Sequence, residues 1–169
     1  AGDARAHAYP WTEGGPASQV ILLPNAQVDM ALRLSLIRRA RYSVDAATYV
    51  QSLDGEFGRP MLHELRLAAN RGLRVRYALD RVGSTAFDPL NLASEALTDP
   101  RLARPAQVVS VDLLRKALLG INLTDKMHWK VLIIDAGTPH EVIFLGGRNH
   151  GWFDLRHLDV ALLIRPFRA

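Results

Sequence analysis

Short apolar, β-branched runs alternate with helix-period stretches over residues 19–80, and that alternation limits the fold more than any other feature of the chain. "QVILLPN" (19–25) reads as a buried strand ended by Pro-Asn, and "AQVDMALRLSLIRRA" carries apolar residues at 28, 31, 32, 36 and 37, a helical stripe with arginine on its other side. "YSVDAATYV" (42–50) is a second strand and "SLDGEFG" a loop. "RPMLHELRLAANRG" is a helix with Pro60 near its start and Gly72 as its stop, and "LRVRYALD" (73–80) is a third strand. This order predicts an α/β domain with helices packed on a sheet, so reactive groups belong near strand ends.

Residues 83–105 are loop-rich, with one short helix around 90–97, and "AQVVSVD" resembles another strand. Further strands are expected at 127–135, 141–147 and 158–164, with "AGTPH" joining the first two. That last part is more antiparallel, so the expected sheet is mixed and largely parallel, flanked by helices. The 169 residues suit one domain over 19–169, and residues 1–18 read as a polar lead-in containing Gly and Pro. The first residue is Ala, as in a mature, processed or excised chain.

With no cysteine, disulfides, thiol nucleophiles and Cys-based zinc or iron-sulfur sites are excluded. No apolar run approaches the roughly 18 residues of a bilayer span. The net charge of +4 and the pI near 9.8 favour anionic partners, such as phospholipid headgroups or nucleic acid. Basic residues are overwhelmingly arginine, and only Lys116, Lys126 and Lys130 are lysines. A lysine two residues after a histidine, at the head of an apolar run, therefore asks for a specific explanation.

That run is "MHWKVLIID" (127–135). If it is extended from its start, alternation puts His128 and Lys130 on one face and Trp129 and Asp135 on the other. Asp135 is then expected to anchor the following turn through backbone amides rather than touch what His128 touches. The next strand ends in "LGGRNHG" (145–151), where paired glycines allow close approach and Asn149 offers an amide donor. With the two strands as neighbours, His128, Lys130 and Asn149 converge as a nucleophile, a cation and a neutral donor. Those groups suit attack on a phosphodiester and stabilisation of its oxyanion without a metal. Asp159 opens "LDVALLI" and is placed to hold the His128 ring in its reactive tautomer.

His128-x-Lys130-x-x-x-x-Asp135 followed by Gly146-x-x-Asn149 resembles the paired HxKxxxxD and GxxN signature of the phospholipase D superfamily. The segment "LIRRARYSVDAATYVQSLDGEFGRPMLHELRLAANRGLRVRYALDRVGS" is similar to the N-terminal half of bacterial cardiolipin synthase-like members, and the likeness runs from about residue 20 to the C-terminus. It implies a phospholipase D-like α/β/α sandwich. It also implies a phosphohistidine at His128, phosphate binding by Lys130 and Asn149 with Gly147 in the same loop, Asp159 paired with the histidine, and no metal or cofactor. Three departures stand out. Gly147 occupies the usual place of a serine, the connection from Asp135 to Gly146 is long, and Trp129 is bulky.

Catalysis in the superfamily uses two such motifs, one histidine attacking while the other protonates the leaving alcohol. This chain has one. The expected partner is a second HKD half in a longer chain or a second copy in a homodimer. The first functional expectation is thus a cardiolipin synthase-like phosphodiesterase or phosphatidyltransferase acting on phospholipids, peripheral to a bacterial cytoplasmic membrane or exported. The alternatives are a homodimeric single-motif nuclease and a catalytically incomplete domain that binds anionic ligands. His150 and His157 read as solvated loop residues, His7, His63 and His140 as surface residues, and the arginines at 33, 38, 39, 66, 71, 74 and 76 as solvated faces.

Overall fold

The computed structural model describes residues 8–11, 18–23, 25–53, 55–84, 88, 90–111, 128–147, 149 and 161–165. Its strands are β1 (Ala8–Trp11), β2 (Ser18–Leu23), β3 (Ser43–Thr48), β4 (Arg74–Asp80), β5 (Gln107–Val111), β6 (Val131–Ile134), β7 (Val142–Gly146) and β8 (Ala161–Arg165). The helices are α1 (Ala26–Arg39), α2 (Gly55–Asn70), α3 (Arg81–Ser84) and α4 (Leu92–Thr98). All eight strands join one sheet in the order β1-β2-β8-β7-β6-β3-β4-β5. Part of the stretch expected as a lead-in, Ala8–Trp11, pairs with β2 as the outermost strand.

The sheet is mixed, as the alternation implies, but adjacent parallel pairing is confined to β3 with β4 and β4 with β5. Successive antiparallel pairings from β2 through β8, β7 and β6 to β3 leave β2 pointing the same way as β3. The β2-α1-β3 crossover is therefore the parallel unit that the sequence suggests. The three C-terminal strands are inserted between its two strands, which is why fewer neighbours are parallel than expected.

Local chemistry sets the helix ends. The Asn25 side chain caps α1, accepting from the amides of Gln27 at 2.9 Å and Val28 at 3.1 Å. Gly72, at φ +83°, stops α2, and the Leu73 amide returns to the Ala68 carbonyl at 3.2 Å. The start of α2 is earlier than Pro60 suggests, so the proline lies inside the helix.

The buried face of α1 follows the expected apolar stripe only in part, with Leu32, Leu36 and Ile37 on the core. Ala26, Asp29, Arg33 and Ile37 face inward while Val28 is exposed. Arg33 Nε donates to Asp29 at 2.7 Å, both side chains are buried, and the guanidinium lies 5.3 Å from the Phe144 ring centre. A salt-bridged pair one helical turn apart thus takes core positions that apolar periodicity assigns to other residues.

Helices α1, α2 and α4 pack in succession and cover one side of the sheet. Beneath them lie Val44, Ala46, Val75, Tyr77, Leu79, Leu132, Ile134 and Phe144, against Ile37, Phe57, Met61, Leu65 and Leu97. Each such large apolar side chain contributes about 1.5–3 kcal/mol on burial. Among the described residues α1, α2 and α4 form one helical layer, and the second layer of the expected sandwich is not among them. No helix among the described residues is long and apolar enough to cross a membrane.

Candidate active site

The site forms where strand ends meet. Strand β6 runs antiparallel to both of its neighbours, with Val131 opposite Ala47 of β3 and Leu145 of β7. Residues 128–130, just before β6, therefore lie beside the segments that follow β3 and β7. The Gly146 amide donates to the Lys130 carbonyl at 3.2 Å, extending the ladder to the motif lysine.

His128 is exposed and Lys130 is only 4% exposed, yet their side chains meet. The Lys130 Nζ lies 2.8 Å from His128 Nε2 and donates to the His128 carbonyl at 3.1 Å. An ammonium has only hydrogens to offer, so the first contact requires a lone pair on Nε2 and places the ring proton of neutral imidazole on Nδ1. The same lone pair would attack an electrophile. An anionic oxygen that draws the ammonium toward itself leaves Nε2 available next to the atom that oxygen belongs to.

Asn149, 8% exposed, is fixed from the neighbouring loop, its Oδ1 accepting from the Val50 amide at 3.1 Å. A backbone amide needs an oxygen acceptor, which settles the orientation of the side-chain amide and leaves Nδ2 as its donor end. Gly147 follows the end of β7 and is half-buried. Asp159 lies outside the described residues. The ladder thus brings His128 and Lys130 together and sets Asn149 and Gly147 at the adjoining strand end.

Asp135 stands apart, at the other end of β6. Its Oδ1 accepts from the amides of Arg41 at 3.0 Å, Tyr42 at 2.7 Å and Ser43 at 3.1 Å, and Oδ2 lies 3.1 Å from the Arg41 amide. The backbone amides expected for it are therefore those of the turn before β3, not of its own turn. The reason is the antiparallel pairing, which sets the end of β6 beside the start of β3. Asp135 has φ +52°, a left-handed conformation that Asp tolerates better than most residues.

Trp129 projects to the face opposite Lys130, as alternation predicts. It is 71% exposed and shares a shallow apolar hollow with Ala47, Ala78, Val109, Val131 and Ile133 on the sheet face away from α1 and α2.

Sequence reasoning passed over the loops after β3 and β4. Tyr49 has its ring centre 5.0 Å from that of His128, tilted by 56°, and 5.7 Å from Lys130 Nζ. The chain next to it is held by Gln51, whose amide donates to Ser84 Oγ at 3.0 Å and whose Nε2 donates to the Ser52 and Gly58 carbonyls. Tyr77 donates its hydroxyl to Gln51 Oε1 at 2.5 Å, and burial, reinforced by the Asp88 carboxylate, pushes this phenol well above its ordinary range. The available signal was the rule that reactive groups gather at strand ends, which applies to "TYVQ" and "DRVGS" as well as to the histidine.

No protein-family model matches the chain. It is 27% identical over 135 residues to a cardiolipin synthase of Geobacillus thermodenitrificans, an alignment covering 80% of this chain and 25% of that protein. The chain spans about a quarter of the length of the curated relatives it matches. Among solved structures, NucT from Helicobacter pylori superposes with a TM-score of 0.58 at 24% identity, over 88% of this chain and 84% of that one. Nuc from Salmonella typhimurium, a phospholipase D family member, superposes with a TM-score of 0.55 at 20% identity, over 88% and 82%. The chain is thus similar in sequence to a quarter of a cardiolipin synthase, and it shares its fold with NucT and with Nuc, a phospholipase D family member.

Proposed function

We propose that this chain carries one half of a phospholipase D-type active site, acting on phosphodiesters through a phosphohistidine at His128. The observation that carries the reading is the 2.8 Å contact between Lys130 Nζ and His128 Nε2 at a strand end shared with Asn149. In the proposed step a phosphodiester oxygen takes over the Lys130 ammonium and the Asn149 amide. The Nε2 lone pair then forms a bond to phosphorus while the bond to the ester oxygen breaks, and that oxygen leaves with the electron pair. Asp159 accepts the Nδ1 proton as a hydrogen bond and stabilises the cationic ring. The leaving oxygen takes its proton from the histidine of a second HKD half, and water or an alcohol finally displaces the histidine from phosphorus.

A phospholipid substrate, met at a peripheral membrane surface, is the first form of this reading. The similarity to cardiolipin synthase and the short reach of the chain along it support that form, with the second half supplied by a longer chain. A homodimeric nuclease is the second form. It draws support from the match to NucT and Nuc over more than four-fifths of their own chains, where a unit of this size makes up most of the protein. An anion-binding domain without turnover is the remaining alternative.

An activated diester tests the shared step. Bis(p-nitrophenyl) phosphate has a leaving group that departs without a general acid, so one half is enough. The expected result is a burst of p-nitrophenolate and a phosphorylated His128 peptide by mass spectrometry, both absent in His128→Ala. A burst of wild-type size in His128→Ala would overturn the mechanism. Mixed anionic vesicles and single-stranded DNA, offered alongside native mass measurement, separate the lipid form from the nuclease form.

A further inference from the structure

We propose that Tyr49 is a positioning residue for the His128–Lys130 pair, its ring fixing the orientation of the imidazole and the path of the ammonium; this rests on the phosphohistidine reading above. Tyr49 lies on neither motif strand segment, but its ring reaches both motif side chains. The centroid is 5.0 Å from that of His128 and 5.7 Å from Lys130 Nζ. An exposed imidazole turns about its side-chain bonds unless something abuts it, and attack on phosphorus requires the lone pair to be aimed within about 10–20°. The tilted ring supplies that wall. Its negative face also attracts the ammonium, so Lys130 can exchange Nε2 for a phosphate oxygen while it stays against the same surface.

The ring is itself braced. A Cβ on Gly83 would lie 2.6 Å from Tyr49 Cε2, 2.8 Å from Cδ2 and 2.5 Å from the Tyr49 carbonyl oxygen, so only glycine lets α3 come this close. The Gly83 amide donates to Asp80 Oδ1 at 3.1 Å, and Ser84 Oγ receives the Gln51 amide. On the other flank, the Val50 amide is bound to Asn149. Tyr49 therefore sits where the ends of β3, β4 and β7 are tied to the start of β6, a set of constraints that packing of one loop aromatic does not need.

The role assigned to the ring does not involve its hydroxyl, which gives a rescue test. With bis(p-nitrophenyl) phosphate, Tyr49→Leu is expected to slow the p-nitrophenolate burst roughly 10- to 100-fold, the cost of an ångström-scale misplacement. KM should stay within about two-fold, because the lost interaction orients the attacking atom rather than holding the ester. Tyr49→Phe should restore the burst to within about two-fold of wild type. Gly83→Ala keeps the ring but pushes it aside, and is expected to slow the burst in the same direction.

The second readout is ¹⁵N NMR of the His128 ring in the full chain without substrate. Tyr49→Leu and Gly83→Ala should shift its ring signals away from those of the Nδ1-protonated form, while Tyr49→Phe preserves them. Wild-type burst and unchanged His128 signals in both Tyr49→Leu and Gly83→Ala would overturn the positioning role and leave the phosphohistidine reading intact. So would a Tyr49→Phe protein as slow as Tyr49→Leu. Altered ring signals in a chain whose wild type gives no burst would sink the phosphohistidine reading and leave the positioning geometry standing. Should Tyr49→Leu fail to fold, Gly83→Ala and Tyr49→Phe decide the matter by themselves.

Discussion

The two ends of β6 carry polar residues of one sequence motif, and they stand in opposite physical situations. At the Asp135 end the carboxylate is buried and accepts from three backbone amides. Its hydrogen-bonding capacity is spent on joining the start of β3 to the end of β6. At the other end an exposed imidazole and a nearly buried ammonium are in contact, at the strand end that also carries Asn149. A carboxylate bonded to backbone amides holds a fold, whereas two side chains in contact beside solvent are within reach of a substrate. Four apolar residues, Val131 to Ile134, separate the two situations.

Exchanging one end for the other should therefore break different properties. The largest effect is expected from His128→Ala, which should abolish phosphohistidine formation while an exposed side chain leaves stability within about 0.5 kcal/mol; thermal melting and the mass of the trapped intermediate check both halves. Lys130→Met keeps the stem and removes the cation. It should cost roughly 10²–10³-fold in the burst rate, the range for losing one preorganised electrostatic contact. Asp135→Ala should reverse the pattern. Stripping the acceptor from three amides is expected to lower stability by about 3 kcal/mol, with activity per folded molecule retained. Equal losses of activity per folded molecule in Asp135→Ala and Lys130→Met would erase the distinction between the ends.

The sequence displayed some of this more clearly than the rest, for physical reasons. Strand-like runs around residues 19–25, 42–50 and 73–80 were legible because each is short, apolar and bounded by turn residues, and β2, β3 and β4 follow them. The pairing of β6 with β7 was legible from the turn between them. The insertion of β6, β7 and β8 between β2 and β3 was not, because periodicity describes a strand's faces and not its neighbours. Likewise, Arg33 reads as a solvated residue because the helical period shows its pairing with Asp29 but not that the pair faces Phe144 and the core. At the site, His128 and Lys130 stood out because they are misfits in an apolar run. Tyr49 did not, since an aromatic at the end of a strand is ordinary; its meaning comes from what the sheet sets beside it.

The smallest predicted effect concerns the support under Tyr49, and it depends on pH. The Tyr77 phenol is fully buried, with the Asp88 carboxylate reinforcing the effect, so its ionisation in the folded chain is pushed well above the ordinary value near 10. Between those two values the unfolded chain has lost this proton and the folded chain still holds it. Stability is then fully present below about pH 10 and falls as pH rises beyond it, by up to about 1.4 kcal/mol per pH unit from this group. Tyr77→Phe removes the group and should flatten that part of the profile, measured as urea unfolding at closely spaced pH values. It also leaves Gln51 Oε1 without this donor, so a modest loss at neutral pH is expected with it, about 1 kcal/mol. Because Gln51 steadies the loop that carries Tyr49, the same substitution should slow the His128 burst only slightly, whereas Asp135→Ala, at the far end of β6, should leave the alkaline slope unchanged. An alkaline slope that persists in Tyr77→Phe would assign the titration to another group and remove Tyr77 from the support of the site.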